Sequence, residues 1–173
     1  RFMPYLHLSV QSGDDMILKR MKRRHNRSQV LEFCKRAREI RPNMTFGADV
    51  IAGFPTETDE HFQNSLDLIQ EAGIIFTHIF PYSKREGTPA AKMPQVNGAV
   101  VKKRARLLRE AGHDELQKFL QRQVGELVRV VVEKDGVGRA ENFLEVRILD
   151  EKVKSGDILE AKVSGVEGNY LIS

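Results

Sequence analysis

Three short apolar runs separated by two helical patterns fill residues 5–80, and this succession restricts the fold more than any other feature of the chain. Residues 5–10 (YLHLSV), Phe46 to Ile51 and residues 74–80 (IIFTHIF) each have the length of a buried strand. The break Gln11-Ser12-Gly13-Asp14-Asp15 offers Ser and Asp as helix N-caps, and Ile17, Leu18 and Met21 predict a short helix after it. A second helix is predicted from near Ser28. Val30, Phe33, Cys34, Ala37 and Ile40 fall on one face, and Pro42-Asn43 ends it. After the second strand, Gly53-Phe54-Pro55 turns the chain. Thr56 to Glu60 then open a helix with acids in its first turn, Phe62, Leu66 and Ile69 on its apolar face, and Gly73 at its close.

Strands that alternate with helices at this spacing form βαβ units with a parallel sheet. A parallel sheet needs both faces covered, and three strands alone leave an edge open. The expected fold class is therefore α/β, half of a (β/α) barrel rather than a complete one. The loops Gln11–Asp15, Gly53–Thr58 and Pro81–Thr88 would then share the ligand-binding face. Residues 97–123 read as a long helix that Gly112 kinks or splits. After Val124 the pattern changes. Residues 127–133, 143–149, 158–164 and 169–172 are strand-like, with turns at Asp135-Gly136, Ser155-Gly156-Asp157 and Gly168-Asn169. They predict a small antiparallel β-barrel. The division expected is 1–124 and 125–173.

The charge is unevenly placed. Residues 1–42 hold 11 Lys and Arg against 4 Asp and Glu, whereas residues 114–173 hold 9 against 12, so an anionic partner is sought at the N-terminal end. The single cysteine, Cys34, excludes an internal disulfide or a multi-cysteine metal site within these residues, and reads as a small buried hydrophobe. No apolar run reaches 18 residues, so a cytoplasmic location is expected. The chain opens at Arg1 almost within a strand, and the reading expects further sequence before it.

Three stretches have the residue types for binding chemistry. Gln11, Ser12 and Gly13 suit a ribose, with Gly admitting a close ligand, or are an ordinary capped turn. In Asp49 to Thr58, Gly53 allows close approach, Phe54 offers an aromatic wall, and the following helix offers free N–H groups. Asp49, an acid within an apolar strand, faces a ligand or pairs with a structural Arg or Lys. In residues 19–27, six of nine are Lys or Arg, a pattern for phosphates, for a bidentate carboxylate clamp, or for a solvated face. The histidines show no metal-ligand spacing, and no nucleophile–base pair is evident, so neither a metal nor a catalytic residue is assigned.

Residues 5–25 (YLHLSVQSGDDMILKRMKRRH), 47–58 (GADVIAGFPTET) and 79–91 (IFPYSKREGTPAA) resemble, in order, the fourth-, fifth- and sixth-strand segments of radical S-adenosylmethionine (SAM) methylthiotransferases. Residues 115–173 resemble the TRAM domain of these enzymes. The wording of LSVQSG and KRRH is most similar to the branch that acts on threonylcarbamoyladenosine at tRNA position 37. This resemblance implies a partly open (β/α)6 barrel, SAM and [4Fe–4S] clusters as cofactors, and tRNA as partner. It also implies addition of a methylthio group to C2 of the modified adenosine. It implies that Gln11, Ser12, Arg23, Asp49, Gly53, Phe54, Tyr82 and Ser83 bind SAM, and that Arg24, Arg85, Gly87, Thr88, Arg129, Lys134 and Arg139 face RNA. The family's C-x3-C-x2-C cluster motif is absent from these residues. The reading therefore expects N-terminal domains of the same protein as partners, and no SAM cleavage by these residues alone. Glu86 stands where the family often has proline, and the acidic tail sits poorly with RNA binding. The alternatives are a tRNA-binding module without catalysis, or a methylthiotransferase acting on a ribosomal protein.

Overall fold

The computed structural model describes residues 2–134, 136–150 and 152–173, and its contacts group the chain into two compact units. One comprises Leu6–Pro42 and Phe46–Glu115. The other comprises Arg1–Tyr5, Asn43–Thr45 and Leu116–Ser173.

The strands β1 (Tyr5–Gln11), β2 (Thr45–Ala52) and β3 (Ile74–Pro81) form a sheet in that order, with β2 and β3 parallel. The helices α1 (Asp15–Arg20), α2 (Arg27–Ile40) and α3 (Asp59–Glu71) fill the connections, as the βαβ pattern predicts. Alternation along β2 separates the two sheet faces. Ala48, Val50 and Ala52 are fully buried, whereas Asp49 and Ile51 face the other way and are partly open. The core under the helices holds Val10, Ile17, Leu18, Leu68, Ile69, Ile74 and Leu108, each such apolar residue contributing about 1.5–3 kcal/mol.

Helix starts follow capping chemistry. Asp14 caps α1, its side chain accepting from the Ile17 N–H. The second helix begins close to Ser28 as expected, and Asn26 caps it in a reciprocal box with Gln29, worth about 1 kcal/mol. Thr58 caps α3, with His61 taking the place usual for Glu or Gln. The predicted face of α2 is correct only in part. Val30 and Cys34 are buried, but Ile40 is exposed and Phe33 is half-exposed, its ring meeting that of Phe46 of β2 edge to face at 6.4 Å. The long helix α4 (Gly98–Arg122) runs through Gly112 without a break. The reason for that glycine is contact: a Cβ there would lie 2.5 Å from Thr77 Cγ2 of β3.

The other unit contains a six-stranded mixed sheet with order β7-β4-β5-β6-β9-β8. Its strands are β4 (Leu127–Lys134), β5 (Val137–Ala140), β6 (Glu145–Arg147), β7 (Ile158–Lys162), β8 (Gly165–Glu167) and β9 (Tyr170–Ile172). The expectation of wholly antiparallel strands is corrected here, since β6 and β9 pair in parallel. After β6 the chain crosses to the far edge to form β7, and the β8–β9 hairpin brings β9 back beside β6 in the same direction. The predicted strand 143–149 is shorter than expected, and β5 precedes it as a separate strand. Val163 pairs with Glu126 on the β4 side, and the next residue, Ser164, donates to the Ile172 carbonyl on the β9 side. Val130, Leu144, Val146 and Leu171 form the core. Asp135 of the expected Asp135-Gly136 turn lies outside the described residues.

Candidate functional site

The strand ends of the three-stranded sheet gather about two adjoining cavities. The larger, about 440 Å³, is lined by Gln11, Asp49, Ile51, Phe80, Tyr82 and Ser83, with Arg85 and Thr88 from the following loop. The second, about 320 Å³, shares Gln11, Ile51 and Thr88 and adds Arg20, Lys22, Arg23 and Phe54. Volumes of this size suit a small ligand. The lining combines charged side chains, among them Arg20, Lys22, Arg23, Arg85 and Asp49, with the apolar Ile51, Phe54 and Phe80.

Backbone conformation shapes this mouth. Gln11 has φ +69° and Thr56 φ +69°, both in the left-handed region that ordinary residues avoid. Thr56 is held there by its own N–H, which donates to the Pro94 carbonyl at 3.0 Å, and by Arg20, whose Nη1 donates to the Thr56 hydroxyl at 2.6 Å. Arg23 Nη2 donates to the Ser9 carbonyl at 2.7 Å, so one of its nitrogens ties it to β1 while the residue lines the smaller cavity. The Phe54 and Tyr82 rings meet edge to face at 5.5 Å, and the Tyr82 N–H donates to the Ala52 carbonyl, which links the second and third loops.

Other candidates sit elsewhere. Ser12 is fully buried. Its hydroxyl lies 3.4 Å from that of Ser65 and accepts from the Asp14 N–H, and it lines neither cavity. Gly53 donates its N–H to Glu57 and faces Val101, where a Cβ would lie 2.5 Å from Cγ2, so its glycine serves the turn (φ +72°) and packing. Arg24 lines neither cavity, and Gly87 (φ +80°) sits in open space. Thr88 caps the short 3-10 turn Pro89–Lys92. In the other unit, Arg139 donates to Glu133 and Glu145, each at 3.1 Å, and Arg129 lies 3.9 Å from Glu141. Both line a separate cavity of about 350 Å³ with Val131, Phe143 and Ile158. Lys134 ends β4, exposed.

Two groups escaped sequence reading. Arg104 and Glu57 are a buried ion pair beneath the Gly53–Thr58 loop, with Nη1 donating to Glu57 Oε2 at 2.8 Å and side chains only 6% and 1% exposed. Burial pushes the Glu57 carboxyl above the usual carboxylate range despite that guanidinium and the Gly53 N–H. Arg104 also reaches Asp59 at 2.7 Å. The apolar positions of α4 gave no sign of this pair, because Arg104 sits within a cationic run that reads as surface. The second group is His7, Asp49 and His78, which converge from three strands. Asp49 pairs with two histidines, not with the structural Arg or Lys weighed for it. Asp49 lies in register with His78 across β2 and β3, a pairing that sequence spacing does not reveal. Cys34 is buried as expected, and burial raises its thiol to about 11.

Residues 2–69 match the model of the Radical SAM superfamily. The chain is 53% identical over 171 residues to the threonylcarbamoyladenosine tRNA methylthiotransferase MtaB of Rickettsia prowazekii (strain Madrid E), covering 99% of this chain and 40% of that relative. It is 38% identical over 177 residues to the tRNA-2-methylthio-N(6)-dimethylallyladenosine synthase of Roseobacter denitrificans, covering 99% and 40% respectively. A synthase with the same name from Bartonella bacilliformis is 36% identical over 98% of this chain and 38% of its own length. The chain thus spans about two fifths of the length of these relatives.

Proposed function

Because this chain is homologous to the radical SAM methylthiotransferases along nearly its whole length, we propose that its three-stranded sheet forms the nucleoside-binding wall of such an enzyme. The carrying observation is the convergence of Gln11, Asp49, Tyr82 and Ser83 on one cavity from the ends of three strands. In this reading the sheet is half of a partly open (β/α)6 barrel, residues 1–124, and the mixed sheet is a TRAM-like barrel, residues 125–173. The Val163–Ser164 step supports closure of that small barrel, because adjacent residues bond to strands on opposite sides of the sheet.

SAM suits the cavity. Gln11 and Ser83 offer hydrogen bonds for ribose, Ile51, Phe54 and Phe80 offer an apolar wall for adenine, and Lys22 and Arg23 offer charge for the methionine carboxylate. Bound SAM supplies a 5′-deoxyadenosyl radical in this family. The role of these residues is to hold and orient the nucleoside and to keep water from it. A [4Fe–4S] cluster finds no ligand set in these residues: the one cysteine, Cys34, is buried and its thiol stays protonated. The cluster ligands would come from other domains of the same protein. Arg85, Gly87 and Thr88 at the mouth, Arg24, and the patch of Arg129, Lys134 and Arg139 would meet tRNA. The substrate proposed is N6-threonylcarbamoyladenosine at position 37, favoured over the dimethylallyl base by 53% against 38% identity.

Nucleoside mass spectrometry tests this reading. tRNA from cells lacking the protein should lose the 2-methylthio form of threonylcarbamoyladenosine, and an unchanged profile would refute the assignment. Binding of S-adenosylhomocysteine to the chain, followed by calorimetry, should weaken about 2- to 10-fold in Gln11→Ala, the worth of one hydrogen bond. No change in that variant would remove Gln11 from the site.

A further inference from the structure

The described partners of the Asp49 carboxylate are two imidazoles. His7 Nε2 lies 2.9 Å from Asp49 Oδ1, and His78 Nδ1 lies 3.5 Å from the same oxygen. One ligand atom from each of the three residues falls within 4.8 Å of the others. The rings stand 4.7 Å apart and tilted at 42°, so their nitrogens converge on the carboxylate instead of stacking away from it.

Placement supports more than a chance contact. Each residue comes from a different strand of one sheet, and Asp49 is in register with His78. Strands hold their side chains more firmly than loops do, so the trio is fixed by the fold. A small inward shift of each group would bring all three to the 2.0–2.2 Å bond lengths of a transition metal. His78 is largely exposed, and His7 and Asp49 are each 29% exposed, which leaves the open side to water or an exogenous ligand.

We propose that His7, Asp49 and His78 bind a single divalent transition-metal ion, with three protein ligands and open positions on the sheet face opposite Ala48, Val50 and Ala52. Two imidazoles and one carboxylate suit zinc, cobalt or iron(II), and are poor ligands for magnesium or calcium, which prefer an all-oxygen set. The inference does not depend on the nucleoside-binding reading, although Asp49 is common to both. If both hold, the ion and the nucleoside meet at Asp49, which lines the larger cavity.

The experiment uses the full chain after chelator treatment and dialysis. Zn²⁺ is titrated against a chromophoric competitor, and Co²⁺ is titrated with its visible spectrum recorded. One equivalent of either ion should bind. His7→Ala, Asp49→Asn and His78→Ala should each weaken binding by at least about 10-fold, since even the loss of a residue that only orients a ligand costs about that much. His113→Ala, an exposed histidine on α4, should bind as the parent does. Circular dichroism checks that each variant is folded, and exposed His78 keeps the test valid if a variant at half-buried His7 or Asp49 is not. Failure to bind one equivalent, or an equal loss in His113→Ala, overturns the metal site. S-adenosylhomocysteine binding is measured separately, so failure of the nucleoside site and failure of the metal site give different results.

Discussion

Arg104→Ala should destabilise the chain by about 3–5 kcal/mol at neutral pH, because it strands a carboxylate with almost no access to water. Glu57 accepts the Gly53 N–H and the Arg104 guanidinium, and Arg104 also lies over the Phe62 ring at 5.4 Å. One substitution therefore removes the counter-charge, a link to the Glu57 carbonyl and a packed guanidinium. The loss depends on pH. Burial raises the carboxyl of folded Glu57 above its unfolded value, so the folded state holds the proton more tightly. Its contribution to stability is then greatest below the unfolded pKa and falls as pH rises through the folded pKa. Arg104 limits that fall in the parent, and in the variant only the Gly53 N–H and His61 remain to oppose it. Urea unfolding should show a smaller deficit at about pH 4 than at about pH 7. Glu57→Gln in the Arg104→Ala background should recover part of the neutral-pH loss. Equal deficits at both values would mean that the pair is not what matters there.

Gly13→Ala is the second large effect. A Cβ at Gly13 would meet the Asn64 carbonyl oxygen and lie 2.6 Å from Ser65 Cα. These are main-chain atoms of α3, with no flexible end to swing aside. The Gly13 N–H donates to the Ser65 hydroxyl at 2.9 Å, and Asn64 donates to Asp14 at 2.8 Å, so the turn and helix are joined on both sides of the contact. Separating them should cost about 1–3 kcal/mol or more. Gly165→Ala, which meets nothing within 4 Å, should shift stability by less than about 0.5 kcal/mol. Thermal unfolding of the pair decides, and comparable losses would mean that the contact with α3 is not what sets the cost at Gly13.

These two sites show where sequence reading works and where it stops. The βαβ order was legible because apolar runs of strand length alternate with helical spacing, and capping residues such as Thr58 mark the helix starts locally. The loop at the end of β1 was legible too, but only as a run of residue types. That Gln11 faces the cavity whereas Ser12 is sealed beneath α3 depends on one left-handed dihedral, and composition carries no trace of it. Glycine at 13 looked like room for a ligand, and its neighbour is a helix. The grouping of His7 with Asp49 and His78 depends on strand register across 42 and 29 residues, so a search for close ligand spacing passes over it. In the last third of the chain, turns revealed most strands. The parallel pairing of β6 and β9 was hidden, because it follows from where the chain returns after β7 and not from either strand's residues.

The twisted backbone at Gln11 sets scaffold robustness and ligand grip in opposition. An L-residue held at φ +69° carries about 1–2 kcal/mol of local discomfort that glycine would escape, partly offset by glycine's looser unfolded chain. Gln11→Gly should consequently melt no lower than its parent, or up to a few degrees higher, while gripping adenosine analogues less well for lack of the amide. Directed evolution for heat resistance alone would tend to find that change and discard the very group that the mouth presents.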